Sequence, residues 1–230
     1  MIEKKGEGRD LAKNYLTVFI SDVHQHKKMK EAFCSCRILG ATIISGRGAV
    51  PSMILNLLGL DSTRKELILM VTPEEEMKAL HESFCEKMQL SKKGHGISFS
   101  LPLNYTLGVN YLVGKEVVDE EGEDFMYELA VIIVDRNKGE DIIQAAREAG
   151  AKGATILHGR GSGAHREERF FNLDIEPEKE VVLFVLEKTK TKAVLESLKK
   201  VVDFSKPNSG IFFTAPLNAV NGLLEQVQNK

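Results

Sequence analysis

One segment of this chain occurs twice, and that repetition constrains the fold more than any other feature. Gly40-Ala41-Thr42-Ile43-Ile44-Ser45-Gly46-Arg47-Gly48 returns as Gly153-Ala154-Thr155-Ile156-Leu157-His158-Gly159-Arg160-Gly161, identical at seven of nine positions and offset by 113 residues. The stretch from Gly96 to Asn104 returns from Gly210 to Asn218 at an offset of 114, and Asp22 pairs with Asp135, each closing an apolar run. Coincidence does not hold one register over three blocks. The period is too long for a solenoid unit, so each repeat is a domain of about one hundred residues, a size that folds alone. The expected domains are residues 13–112 and 126–224. The connector 113–125 holds the acidic run Asp119-Glu120-Glu121-Gly122-Glu123-Asp124, and Met1–Asp10 reads as a frayed arm.

Both repeats give one order of elements. Thr17–Ser21 and Leu129–Val134 read as buried first strands. Met29, Ala32, Phe33 and Cys36, then Ile142, Ala145, Ala146 and Ala149, fall at helical spacing, with Gly40 and Gly150 placed for left-handed caps. Second strands are expected at Ala41–Ser45 and Ala154–His158, followed by long polar segments, Gly46–Arg64 and Gly159–Glu178. Third strands follow at Glu66–Val71 and Glu180–Leu186. Thr72-Pro73-Glu74-Glu75 reads as an N-cap with proline at the first helical position. Met77, Leu80, Phe84 and Met88 mark one second helix, and Val194, Leu198, Val201 and Val202 the other. Fourth strands, Ile97–Leu101 and Ile211–Ala215, end against Pro102 and Pro216.

The order βαββαβ, twice, predicts an α+β fold: two tandem ferredoxin-like units, each an antiparallel sheet with both helices on one face. The uncovered face needs a partner sheet, which predicts burial against another copy.

Composition narrows the function classes. Lys and Arg number 31 against 33 Asp and Glu, a net charge of −2, which argues against general nucleic-acid binding. The longest apolar runs are strand-sized, so no membrane insertion is expected. No basic stretch followed by an apolar segment opens the sequence, and three cysteines make no disulfide framework. A soluble, cytoplasmic protein is expected.

Three local features resemble the PII (nitrogen-regulatory) signal-transduction family and its PII-like relatives. Gly150-Ala151-Lys152-Gly153-Ala154-Thr155 runs from a helix end into the second strand. Gly161-Ser162-Gly163 opens a long loop where PII proteins carry G-F-G before the T-loop. Ser209-Gly210-Ile211-Phe212 leads into the last strand where PII carries G-K-I-F. The likeness spans both repeats. It implies a regulator in which an adenine nucleotide, ATP or ADP, binds between neighbouring domains, while the long loop docks on a regulated enzyme or transporter, with nitrogen regulation the implied setting. It also implies a trimeric core: three tandem chains would supply six domains as two stacked rings. This sequence departs from the pattern at several cations. Ala164 and His165 stand where PII has Arg and Gln, and Gly96 and Gly210 replace the lysine of G-K-I-F. Lys65 and Lys179 remain at about the place of a phosphate-facing lysine.

Taken on their own residues, Gly46-Arg47-Gly48 and Gly159-Arg160-Gly161-Ser162-Gly163 form candidate anion cradles of backbone N–H groups, with Thr155, Lys65 and Lys179 nearby. Arg160→Ala is expected to weaken ligand binding and leave the fold intact. His165, Arg166 and Arg169 crowd the second long loop as candidate partner contacts, whereas Met53-Ile54-Leu55-Asn56-Leu57-Leu58 makes the first loop apolar and suited to packing. A metal centre from His24, His26, Cys34, Cys36 and Cys85 is disfavoured, because Cys34 and Cys36 diverge on a helix and read as small buried apolar residues. Neither a nucleophile–base order nor paired carboxylates stand out, so no enzyme is expected. The alternative reading is a CutA-like trimeric structural or metal-associated protein without nucleotide.

Overall fold

The computed structural model describes residues 13–23, 32, 40–49, 62–92, 95–109, 117–118, 125–162, 169–170, 173–174 and 177–223. In the first repeat the strands are β1 (Asn14–Asp22), β2 (Ala41–Ala49), β3 (Ser62–Pro73) and β4 (Ile97–Leu103), with helix α1 (Glu74–Lys87) between β3 and β4. Two short strands follow, β5 (Tyr105–Leu107) and β6 (Val117–Val118). The second repeat has β7 (Tyr127–Asp135), α2 (Gly139–Glu148), β8 (Thr155–Ser162), the small hairpin β9 (Arg169–Phe170) and β10 (Leu173–Asp174), β11 (Glu178–Glu187), α3 (Lys188–Leu198) and β12 (Ile211–Leu217).

The sheet order is β4-β1-β3-β2-β8-β11-β7-β12-β5-β6. Read outward from the centre, each half runs second, third, first, fourth strand, the antiparallel ferredoxin-like order that the element sequence predicts. The halves join edge to edge where β2 pairs antiparallel with β8, from Ala41–Ser162 to Ile44–Gly159.

Burial explains the strand sequences. On β7, every residue from Ala130 to Val134 is buried, so its apolar run is continuous rather than alternating. One face of that run, with Ala130, Ile132 and Val134, packs on Ile142, Ala146, Val194 and Leu198 of α2 and α3. The other face, with Val131 and Ile133, meets Val181, Phe213, Ala215 and Leu103, flanked by Leu16, Ile44 and Val71 of the first repeat. The helix-free face of the second repeat is therefore covered by the first repeat of the same chain, where the sequence left the partner as another copy, while Ile97, Phe99 and Leu101 of β4, on the same face as Leu16, stay exposed. In the first repeat the helix-side core holds Phe19, Ala32, Ile68, Met70, Leu80, Phe84 and Met88, with Phe19 stacked on Phe84 at 4.4 Å.

The connection between repeats is tied to the second. Asn104 N–H donates to Thr214 O at 3.0 Å, β5 pairs with β12, and Asn14 Nδ2 donates to Thr106 Oγ1 at 2.7 Å. β6 falls within the segment read as the acidic linker; the acidic run itself lies outside the described residues.

Several boundaries differ from expectation. β4 and β12 run through Pro102 and Pro216 to Leu103 and Leu217. On β4 this follows from its edge position, where a proline without an N–H breaks no ladder bond. Pro73 rather than Thr72 occupies the N-cap, with an extended ψ of 165°, so α1 starts one residue later than predicted. Gly150 adopts the left-handed conformation (φ 101°), as predicted. Val201 is exposed beyond the end of α3, whereas Val194, Leu198 and Val202 are buried. Cys85 is exposed on α1 and does not act as a buried apolar residue. Of the first-repeat helix positions only Ala32 is described, as helical and buried; Met29, Phe33, Cys36, His24, His26, Cys34 and the Met53–Leu58 segment lie outside the described residues.

Candidate functional site

The Gly-Arg-Gly segments are strand, not turn. Gly46-Arg47-Gly48 continues β2, paired to β3 through Gly46–Lys65, Arg47–Arg64 and Gly48–Thr63. Gly159-Arg160-Gly161-Ser162 continues β8, with Arg160 opposite Glu178 and Gly159 opposite Lys179. None of these four glycines has a positive φ. A backbone nest needs alternating right- and left-handed residues, so the expected N–H cradle is not formed, and the polar segments begin after Ala49 and Ser162.

The glycines serve a different purpose. A Cβ at Gly48 would stand 2.8 Å from Lys65 Cε, and one at Gly161 would stand 3.0 Å from Lys179 Cε. Each lysine lies across a glycine floor to reach a carboxylate: Lys65 Nζ is 2.6 Å from Asp22 and Lys179 Nζ 2.5 Å from Asp135. This trio of glycine, lysine and aspartate is built twice. Because β2 and β8 are antiparallel, their two copies lie at opposite ends of the seam.

On the opposite, helix-side face, the two arginines differ. Arg160 donates from Nη2 to Oε1 of Glu66, whose side chain is only 3 % exposed. Glu66 lies on β3 of the other repeat, so this charge-assisted bond crosses the seam. Its counterpart Glu180 is committed elsewhere, accepting the Gly139 N–H at the start of α2 at 2.7 Å. A carboxylate at a helix N-terminus meets unpaired N–H groups and the positive end of the helix dipole. Arg47 is exposed and opposite Arg64, with no carboxylate against either among the described residues.

The seam is zipped over half its length. The register that sets Ile44 against Gly159 would, if continued, place Arg47 beside Ile156 and Gly48 beside Thr155, but β2–β8 pairing ends at Ile44–Gly159. Gly159, Arg160, Gly161 and Ser162 thus belong to the closed half, while Gly46, Arg47, Gly48 and Thr155 border the open half. Gly163, His165 and Arg166 lie outside the described residues, and Arg169 is known only as a backbone position on β9.

Sequence reasoning overlooked Glu66, Glu180, Arg64 and the Arg136–Glu178 pair. A signal was present: Glu66 and Glu180 sit at the 114 offset at the head of buried apolar strands, where a carboxylate needs a partner. Arg160 is also the counter-charge of a buried carboxylate, so Arg160→Ala is expected to lower stability as well as to weaken ligand binding.

Among the described residues no helix is long and apolar enough to cross a membrane. Two ferredoxin-like units sharing one sheet, with lysine–aspartate pairs at the strand ends, define an α+β protein. Residues 127–224, the second unit, match the family model of nitrogen regulatory protein P-II. Among solved structures, CPII from Thiomonas intermedia K12, bound to ADP, AMP and acetate, is 18 % identical, with a TM-score of 0.34, covering 42 % of this chain and 91 % of that one. A B. subtilis GlnK–ATP complex is 21 % identical, with a TM-score of 0.30, covering 40 % and 85 %. An unknown protein from Galdieria sulphuraria is 9 % identical, with a TM-score of 0.26, covering 90 % and 99 %. At these scores the likenesses carry no argument. No sequence relative is found among curated proteins.

Proposed function

We propose that this protein is a PII-like signal-transduction regulator, not an enzyme, that binds a small anionic ligand between its two repeats. The P-II match at residues 127–224 carries this reading. An adenine nucleotide, ATP or ADP, is the proposed ligand. Its proposed contacts are Gly46, Arg47, Gly48, Lys65 and Thr155 at one end of the seam, and Gly159, Arg160, Gly161, Ser162, Gly163 and Lys179 at the other. Ligand binding would order the loop containing His165, Arg166 and Arg169 and alter the surface offered to a regulated enzyme or transporter, an order–disorder switch. Nitrogen regulation in the cytoplasm and a trimer of tandem chains complete the proposal.

Thermal unfolding of the full chain against ATP, ADP, AMP and 2-oxoglutarate tests it. A ligand that binds only the native state raises the midpoint with concentration, by roughly 2.7 kcal/mol of stability at a hundredfold excess over Kd. A saturable shift with one nucleotide supports the sensor reading. Flat midpoints across the panel would remove the nucleotide from it.

A further inference from the structure

The two ends of the seam carry different charge. Around Arg160, each cation has a carboxylate: Arg160 bonds Glu66, Arg136 pairs with Glu178, and Lys179 pairs with Asp135. At the equivalent places of the first repeat, Lys65 pairs with Asp22, but Arg64 stands where the second repeat has Glu178. Arg64 is the direct cross-strand partner of Arg47, and both are exposed with no carboxylate against them among the described residues. Residues directly opposite in an antiparallel pair project from the same face, and like charges there repel. Among the described residues, neither packing nor pairing accounts for keeping two guanidinium groups on one rung.

The backbone beside them is also open. Pairing of β2 with β8 stops at Ile44–Gly159, so Gly46–Gly48 and Thr155 flank an unzipped stretch of the seam. The carboxylate that would close it by symmetry, Glu180, already holds the Gly139 N–H.

We infer that the open half of the seam is a binding site for a doubly charged oxyanion of phosphoryl type, gripped by the Arg47–Arg64 pair. Two planar guanidinium forks on one rung match the oxygens of a phosphate or pyrophosphate group and replace their mutual repulsion with charge-assisted bonds. Two cations on a single rung suit a compact dianion better than an extended acidic chain. This inference rests on the regulator reading and deepens it, because it names the chemical group bound at the open end of the seam and adds Arg64 to the residues that hold it.

The test uses the full chain, as wild type, R47Q and R64Q, with sodium phosphate and pyrophosphate titrated at constant ionic strength against chloride. High phosphate stabilises any fold by exclusion from its surface, so the readout is the difference between wild type and variants. The expected result is a saturable rise in midpoint of roughly 5–10 °C for wild type at a hundredfold excess over Kd. Apparent affinity should fall at least about tenfold in each variant, the loss of one charge-assisted contact. Without anion, R47Q and R64Q should melt at or slightly above the wild-type temperature. Equal anion responses in all three proteins, or no saturable response in wild type, would overturn the site, and so would a large loss of anion-free stability in R64Q. Titrating ATP and ADP in parallel separates the two readings. A nucleotide response that survives both substitutions sinks this site and leaves the regulator reading standing. A phosphate response lost in both variants, with no nucleotide response, keeps the site and removes the nucleotide.

Discussion

Arg160→Ala should destabilise the protein, and the size of the loss follows from an asymmetry in the ion pair. The Glu66 side chain is 3 % exposed and the Arg160 side chain 36 %. Removing one partner of a fully buried pair costs about 3–5 kcal/mol, because the other charge is left without compensation. Water reaches part of this one through the arginine, so the expected loss is about 2–3 kcal/mol. For a chain of this length that lowers the midpoint by roughly 5–10 °C. Glu66→Gln should cost less, since the more exposed Arg160 can hydrate whereas the buried Glu66 carboxylate would lose a counter-charge that water does not replace. In the double variant Glu66→Gln/Arg160→Ala the buried charge is gone, so urea unfolding should show a coupling of at least about 1 kcal/mol between the sites. Arg160→Ala within about 0.5 kcal/mol of wild type, or a double variant no more stable than that single one, would refute the pairing argument.

Two further outcomes are expected. His81 on α1 is hydrogen-bonded to Ser98 Oγ at 2.9 Å and Ser100 Oγ at 2.7 Å, and burial holds its pKa below the ordinary 6.5. The unfolded chain therefore binds the proton first, and the contribution of His81 to stability is full above about pH 6.5 and lost as pH falls toward the depressed value. Urea unfolding of His81→Gln should show a smaller loss between pH 7.5 and pH 5 than wild type, and parallel pH profiles would contradict this. Phe213, 1 % exposed in the core between the two repeats, should cost about 3–5 kcal/mol on truncation to alanine. Because that core joins the repeats, unfolding should remain a single transition in wild type, and a Phe213→Ala variant as stable as wild type would argue against a shared core.

The sequence by itself determined the repeated blocks, the strand order in each half and, among the described residues, the apolar positions of the helix-side cores. Those depend on local properties: apolar periodicity fixed the strand at Leu129–Val134 and the helix carrying Leu80, Phe84 and Met88, and the offset of 113 fixed what corresponds to what. Lys65, Lys179, Asp22 and Asp135 were visible as repeated positions, but not as two ion pairs lying over glycine floors. Gly-Arg-Gly looked like a turn because glycine composition reports backbone freedom and says nothing of a lysine passing overhead. Only the tertiary structure decided that the helix-free face of the second repeat packs on the first within one chain, that Arg160 answers Glu66 across the seam, and that β2 and β8 pair over half their length. These contacts join residues far apart in sequence; Glu66 and Arg160 are separated by 94 positions. Their partners are selected by register and burial after the sheets meet, so no local pattern in the chain encodes them.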